Sequence, residues 1–308
     1  MTGAPFSLHL EPNRLGAPAG TRRIGLDGLL ARRGSRIWRA WVRGSAARHG
    51  FRWSLRDTFD TSWWPQGIDV AEHAGHRFLA VSWFAHDRDT RITIVDLDRH
   101  RYHHVLLRES VQDAAGHVGL APIVIHAGGI AWLDGRILVA DTFGGLREFR
   151  LDDLAVDGDE PVLIESARYH ARKTKGDRGM RFSFVSIEHT DGSPRLVAGE
   201  YGDGARADRA ARFSLDLDAD VELHEPGLYR MQGIVIVDGT WYITTSNGEH
   251  SRGDLWVGVP GELVRHRHVL PAGPEDLAFD RSTRRLWSLS EWPGRRRVFQ
   301  VDPARLPR

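Results

Sequence analysis

Short runs of alternating apolar and polar residues, separated by polar turns, recur along most of the chain. The clearest set is MQGIVIVDGTWYITTSNGEHSRGDLWV at 231–257. Residues 234–237 and 241–245 read as strands joined at Asp238-Gly239. A polar loop follows over 246–253, then a third strand over 254–257. An Asp-Gly pair between two alternating apolar runs is a strong hairpin signal, because glycine and aspartate tolerate the positive φ of a tight turn.

The same arrangement of strand, turn, strand, loop and strand appears elsewhere. One unit starts at Gln66-Gly67-Ile68-Asp69-Val70 and continues through 78–84, 92–97 and an outer strand at 102–107. A second has Gly128-Gly129-Ile130-Ala131-Trp132, a turn at Asp134-Gly135, then 137–141 and 146–151. A third has 184–188, a turn at Asp191-Gly192, then 195–199 and 211–217. The last has 276–279, a turn through 281–283, then 286–289 and 297–301. Taking Gly67, Gly129, Ser186, Gly233 and Asp276 as equivalent, the units are 62, 57, 47 and 43 residues apart.

Such spacings suit four-stranded blades packed around an axis, an arrangement that shields sheet edges. The expected fold is therefore all-β, a five-bladed β-propeller. Its last unit runs out of chain after three strands, so an N-terminal strand, 36–43 or 51–56, is expected to close the ring. Residues 1–34, rich in Gly, Pro and Arg, read as an extended arm before a single propeller domain at 35–308. A two-sheet β-sandwich is the rival architecture. The basic stretch 170–179 reads as a surface loop.

Composition narrows the function classes. The 308 residues carry 42 Lys and Arg against 41 Asp and Glu, so no global field recruits nucleic acid or a membrane. The chain has no cysteine, which excludes disulfides, thiolate metal sites and a cysteine nucleophile. No leader pattern and no apolar run of about 18 residues is visible, which makes the cytoplasm the default expectation. Neither a GxSxG elbow nor a phosphate-binding loop occurs.

The phrases WWPQGIDV, VIHAGGIAWLDG, FSFVSIE, VAGEYG, MQGIVIVDGTWYITTSNG, SRGDLW, GPEDLAF and LWSLSEWPGRRRVF, spread over 60–301, together resemble a family of largely uncharacterised actinobacterial proteins often labelled as secreted. The resemblance implies a propeller but no established reaction. In the fourth unit alone, Gln-Gly-Ile, the hairpin and Ser246-Asn247-Gly248 are similar to repeats of the plant-type glutaminyl cyclases, which are five-bladed propellers.

In a propeller, residues entering each innermost strand share one face with the loops joining second and third strands. The entry positions are Gln66, His126, Ser183, Gln232 and Glu275. The loops bring Trp83, Asp141, Thr142, Glu200, Tyr201, Asn247, His250, Arg252, Glu291 and Trp292. The inner strands are expected to aim Asp69, Glu188 and Asp276 at the axis.

Carboxylates, amides and aromatic walls around a narrow funnel suit a small organic ligand. Glu275 and Glu200 are the expected proton-exchanging pair, since two close carboxylates push one pKa upward, and His126 would assist. Gln66, Gln232, Asn247, Asp141, Arg252, Glu188, Trp83 and Trp292 would bind and wall the substrate. Each has a plainer role as well. The glutamines could satisfy backbone groups, Glu200 could pair with Arg252 or Arg147, and the tryptophans could be core.

The expectation is an acid/base cyclase, lyase or hydrolase that requires no cofactor. Pore carboxylates and amides also suit Ca²⁺ or Mg²⁺, which leaves a divalent metal open. The alternative is a non-catalytic module that binds a ligand or protein on the same face.

Overall fold

The computed structural model describes residues 5–86, 88–190, 194–202, 208–215 and 221–306. The expected turn at Asp191-Gly192 and the end of the expected strand 211–217 lie outside the described residues.

The structure is all-β, and its strands fall into successive antiparallel groups. The first comprises Trp64–His73, His76–Ala85, Asp89–Asp96 and Arg101–Gln112. The second comprises Ile130–Leu133, Arg136–Asp141, Gly145–Asp157 and Glu160–Lys173. The third runs through Phe184–Glu188, Arg195–Gly199, Ala210–Phe213 and Glu222–His224. The fourth runs through Met231–Val237, Thr240–Thr245, Asp254–Gly258 and Val264–His266. The last has Pro274–Asp280, Arg285–Ser290 and Val298–Val301, with Ala47–Arg52 paired antiparallel to its final strand.

The hairpin turns are where the sequence places them. Asp134-Gly135 and Asp238-Gly239 take φ of 48° and 75°, and 48° and 78°. Positive φ at both central residues is the turn whose twist matches that of the flanking strands.

The first strands of successive groups pack in a cycle. Trp64–His73 meets Ile130–Leu133, which meets Phe184–Glu188. That strand meets Met231–Val237, which meets Pro274–Asp280, and Pro274–Asp280 returns to Trp64–His73. Apolar clusters fill the wedges between neighbouring groups: Phe78 and Ile94 lie against Trp132 and Phe149, Leu138 against Val185 and Phe213, and Val197 against Ile234 and Trp241. Val235 and Leu255 meet Leu277 and Phe299, and Trp287 and Val298 meet Val81 and Trp83. Alternating apolar positions on both faces of each sheet explain this division of the core. Between the first two groups, the outer strands also pair in parallel at residues 106–108 and 162–164.

Two inner-strand carboxyls tie neighbours together rather than facing an open channel. Asp276 accepts from the Ile68 N–H at 3.2 Å, and Asp69 accepts from the Trp132 N–H at 2.7 Å. Burial raises the Asp69 pKa to about 7, and burial with the nearby Asp69 charge raises that of Asp276 well above the carboxylate range.

The N-terminal residues lie along the outside. Phe6–Pro12 pairs with Glu160–Lys173 and Gly25–Leu30 forms a short helix. The expected loop at 170–179 is strand as far as Lys173, because that pairing puts His9 opposite His170. Of the two expected closing strands, 36–43 yields Ser35–Arg36 and Trp38–Ala40, the latter outside the closing strand. The closing strand itself ends at Arg52, and a helix, Leu55–Phe59, follows where strand is expected. Ser54 caps it, its hydroxyl accepting from the Asp57 N–H at 3.2 Å.

Asp57 anchors that helix to the first group. It accepts from the Tyr102 hydroxyl and lies 3.1 Å from His104 Nε2, while His104 Nδ1 lies 2.7 Å from Thr93 Oγ1. Burial and the Arg91 charge lower the His104 pKa to about 4, although Asp57 pulls it upward. The unfolded imidazole titrates near its ordinary value of about 6.5 and so takes up a proton first as pH falls. His104 therefore stabilises the fold fully above pH ~6.5 and loses that contribution between there and pH ~4. Urea unfolding at pH 7 and pH 4.5 should show the natural chain losing on the order of 2 kcal/mol more than His104→Asn does. Equal losses in the two proteins would rule out His104 as the source.

Candidate functional site

Where the first strands converge, a cavity of about 360 Å³ opens on the face that holds their entry residues. Gln66, His126, Gly128, Ser183, Gln232 and Glu275 line it, together with Thr142, Phe143, Tyr201 and Glu291 from loops. The entry residues identified from the repeat pattern, Gln66, His126, Ser183, Gln232 and Glu275, thus share one cavity although more than two hundred residues separate the first from the last.

Glycine makes the convergence close. A Cβ on Gly129 would sit 2.1 Å from the Val185 nitrogen, and one on Gly67 would sit 2.6 Å from the Gly129 backbone. Only hydrogen at these positions lets the strands approach.

Glu275, 3% exposed, and the half-buried Glu291 form the floor. Gln232 donates to Glu275 Oε1 at 3.2 Å, and Gln66 donates to Glu291 Oε2 at 3.2 Å. Gln66 also donates to the Pro65 carbonyl at 3.0 Å, so it satisfies backbone as well as carboxylate. The two carboxyls lie close enough for each to shift the other's titration. Burial first, then the charges of Glu291 and Asp276, hold the Glu275 carboxyl well above its ordinary range. Burial also raises Glu291, against the hydrogen bonds from Gln66 and Glu275 and the charge of Arg296. Both carboxyls are thus pushed toward the protonated form, Glu275 the further, and they titrate as a pair.

The mouth is aromatic. Phe143 is 86% exposed and Tyr201 38% exposed. The His126 ring lies over Phe84 with centroids 4.4 Å apart, and burial with the neighbouring His86 lowers its pKa, favouring the neutral ring.

Other residues expected at the site lie elsewhere. Glu200 does not face Glu275: Arg178 grips it at 3.1 and 2.5 Å, Arg209 at 3.2 Å and the Arg181 N–H at 3.0 Å. That carboxylate anchors a loop, its oxygens taken up by arginine. Glu188 sits at the far end of its strand, clamped by Arg212 at 2.5 and 3.0 Å, and lines a cavity on the opposite face. Trp83 is fully buried core, packed on Trp53 and under the guanidinium groups of Arg91 and Arg296.

Asn247 braces its own loop, donating to the Arg252 carbonyl at 2.8 Å and to Asp254 at 3.1 Å, and Arg252 is exposed. Asp141 holds Arg147 at 3.1 Å. Trp292 packs edge-on against Trp64 at 5.5 Å. Neither of these last two lines the cavity.

Glu291 takes the place expected for Glu200. Both belong to the same loop of their respective repeats, so the repeat alone does not separate them. The separating signal is the density of arginines around Glu200, at 178, 181 and 209, which converge on it only in the folded chain.

Among the described residues, no group of three or more His, Asp or Glu is arranged to hold a metal ion. Among them, too, no helix is long and apolar enough to cross a membrane.

No protein-family model matches the chain, so the likeness to the actinobacterial proteins rests on the quoted phrases alone. No curated protein matches it either. Among solved structures, the chain is similar to a GH43_1 enzyme from Xanthomonas citri complexed with xylotriose, at 11% identity and TM-score 0.44. That match covers 80% of this chain and 91% of the other. It is similar to a gluconolactonase from Xanthomonas campestris at 15% identity and TM-score 0.43, covering 93% and 89%. A glutaminyl cyclase from Myxococcus xanthus matches at 15% identity and TM-score 0.39, covering 88% and 98%. At these scores none of them bears on the chemistry of this chain.

Proposed function

We propose that the chain is a five-bladed β-propeller, closed by Ala47–Arg52, and an enzyme acting on a small organic molecule in its axial cavity. Its reaction is an acid/base step of the cyclase, lyase or hydrolase kind. The observation that carries this reading is the buried Glu275–Glu291 pair on the cavity floor, each carboxyl held by its own glutamine. The structural carboxylates Glu200 and Glu188 are gripped by arginine, and Asp69 and Asp276 by backbone N–H groups. This pair is held by glutamine amides instead, and it faces open space of ligand size.

In the proposed step one carboxylate of the Glu275–Glu291 pair takes a proton from the substrate and then delivers it to the substrate atom that gains electron density. Gln66 and Gln232 keep the two carboxyls in register, and neutral His126 orients the substrate from the mouth. These side chains suffice for the step.

Incubating the chain with a small-metabolite library, read by mass spectrometry, tests the proposal. Consumption of a substrate is expected to fall at least ~100-fold in both Glu275→Gln and Glu291→Gln, with melting temperatures kept. Unchanged turnover in both variants removes the assignment. A ligand that binds the natural chain without ever being converted leaves the non-catalytic module instead.

A further inference from the structure

The chemistry of the cavity wall selects among small molecules. No Lys or Arg is among the described residues lining it. Its one titratable base, His126, is favoured in the neutral form. The nearest buried guanidinium, Arg296, directs its donors to the carbonyls of Glu291, Asp57 and Trp63 at 2.7, 2.8 and 2.5 Å. Gln66 and Gln232 each turn an amide N–H onto a carboxyl. The described lining thus holds two carboxyls and no fixed positive charge. An anion entering it would meet two carboxyls and no counter-charge, which is prohibitive in a partly desolvated cavity. A cation would replace the one thing the pair lacks, a positive charge between two carboxylates. Phe143 and Tyr201 at the mouth offer ring faces that favour the same sign.

We infer that the ligand of the axial cavity is a small organic monocation, a protonated amine whose ammonium seats between Glu275 and Glu291 and whose body rests on Phe143 and Tyr201. This rests on the axial cavity being the functional site. Seating exchanges one charge for another: the ammonium enters, both carboxyls become ionised, and the proton the pair held leaves to solvent. Asp276 bears on Glu275 and Arg296 on Glu291, and His126 lines the same cavity. Burial favours the protonated form of the pair in the free chain, so seating the ammonium is accompanied by proton release.

The test is calorimetric titration of the full chain at pH 7 with benzylammonium chloride, in buffers of different ionisation enthalpy. Benzyl alcohol, sodium benzoate and calcium chloride are the comparators. Benzylammonium is expected to bind at least ~10-fold tighter than the alcohol or benzoate and to release close to one proton per ligand. Glu275→Gln should abolish the release and weaken binding ~10-fold or more. Glu291→Gln, at a half-buried position, gives the same reading should the first variant fold poorly. Benzyl alcohol binding as tightly as the amine, with shifted side-chain amide signals of Gln66 and Gln232 in NMR spectra, would keep the cavity as the site and overturn the cation. Calcium binding in place of the amine would overturn it in favour of a metal. If none of the probes binds or moves those amide signals, both the cation and the axial site fall.

Discussion

Arg296→Ala is expected to destabilise the chain by on the order of 4 kcal/mol, among the largest losses available to a single substitution here. Arg296 is fully buried and donates to three backbone carbonyls, those of Glu291, Asp57 and Trp63. They belong to the last group of strands, the helix after the closing strand and the entry to the first group. One guanidinium thus joins three segments, and its plane lies over Trp64 and Trp83 at 5.7 and 5.6 Å. Burying the charge is itself unfavourable, and burial lowers its pKa to about 10. Alanine removes that cost but strands three carbonyls in a cavity, each worth about 1–3 kcal/mol. Arg296→Met should fill more of the space and still lose most of the stability, whereas Arg296→Lys should retain part of it. Urea midpoints at constant m-value measure the series. An alanine variant within about 1 kcal/mol of the natural chain would show that ring closure does not depend on this side chain.

Gly129→Ala is expected to cost about 3 kcal/mol or more and to widen or collapse the axial cavity. The new methyl would lie 2.1 Å from the Val185 nitrogen and 2.7 Å from the Phe184 Cα. Both are backbone atoms of the neighbouring inner strand, so no rotamer change relieves the contact. By contrast, alanine at Gly119 meets nothing within 4 Å, although that glycine also lies in a strand. The melting temperatures of the two variants should therefore diverge widely, with only the Gly119 variant near the natural value. Equal values would mean that the inner strands have slack, and that the convergence of Gln66, His126, Ser183, Gln232 and Glu275 does not rely on glycine.

Much of the fold is legible in the sequence because hairpins are local. Asp134-Gly135 and Asp238-Gly239 announce turns that alternating apolar neighbours then convert into strands. The entry residues of the cavity are legible for the same reason: each lies at or shortly before the start of a recognisable inner strand. What escapes is everything decided by long-range partners. Glu200 and Glu291 look alike until Arg178 and Arg209 are seen to close on the first and Gln66 on the second. Asp69 and Glu188 share the inner-strand pattern, yet one hydrogen-bonds a neighbouring backbone and the other an arginine at the far end. The residues at 51–56 alternate like a strand, but the Ser54 hydroxyl satisfying the Asp57 N–H starts a helix at Leu55.

The final pairing in the chain has a mechanical implication. Ala47 lies opposite Val301 and Phe51 opposite Val298, so the chain enters one strand and leaves the other at the same end of the pair. Tension applied between those two points would open the hydrogen bonds one after another, as in a zipper, instead of shearing all of them together. A pull applied at Ala47 and Val301 should therefore breach this seam at low force.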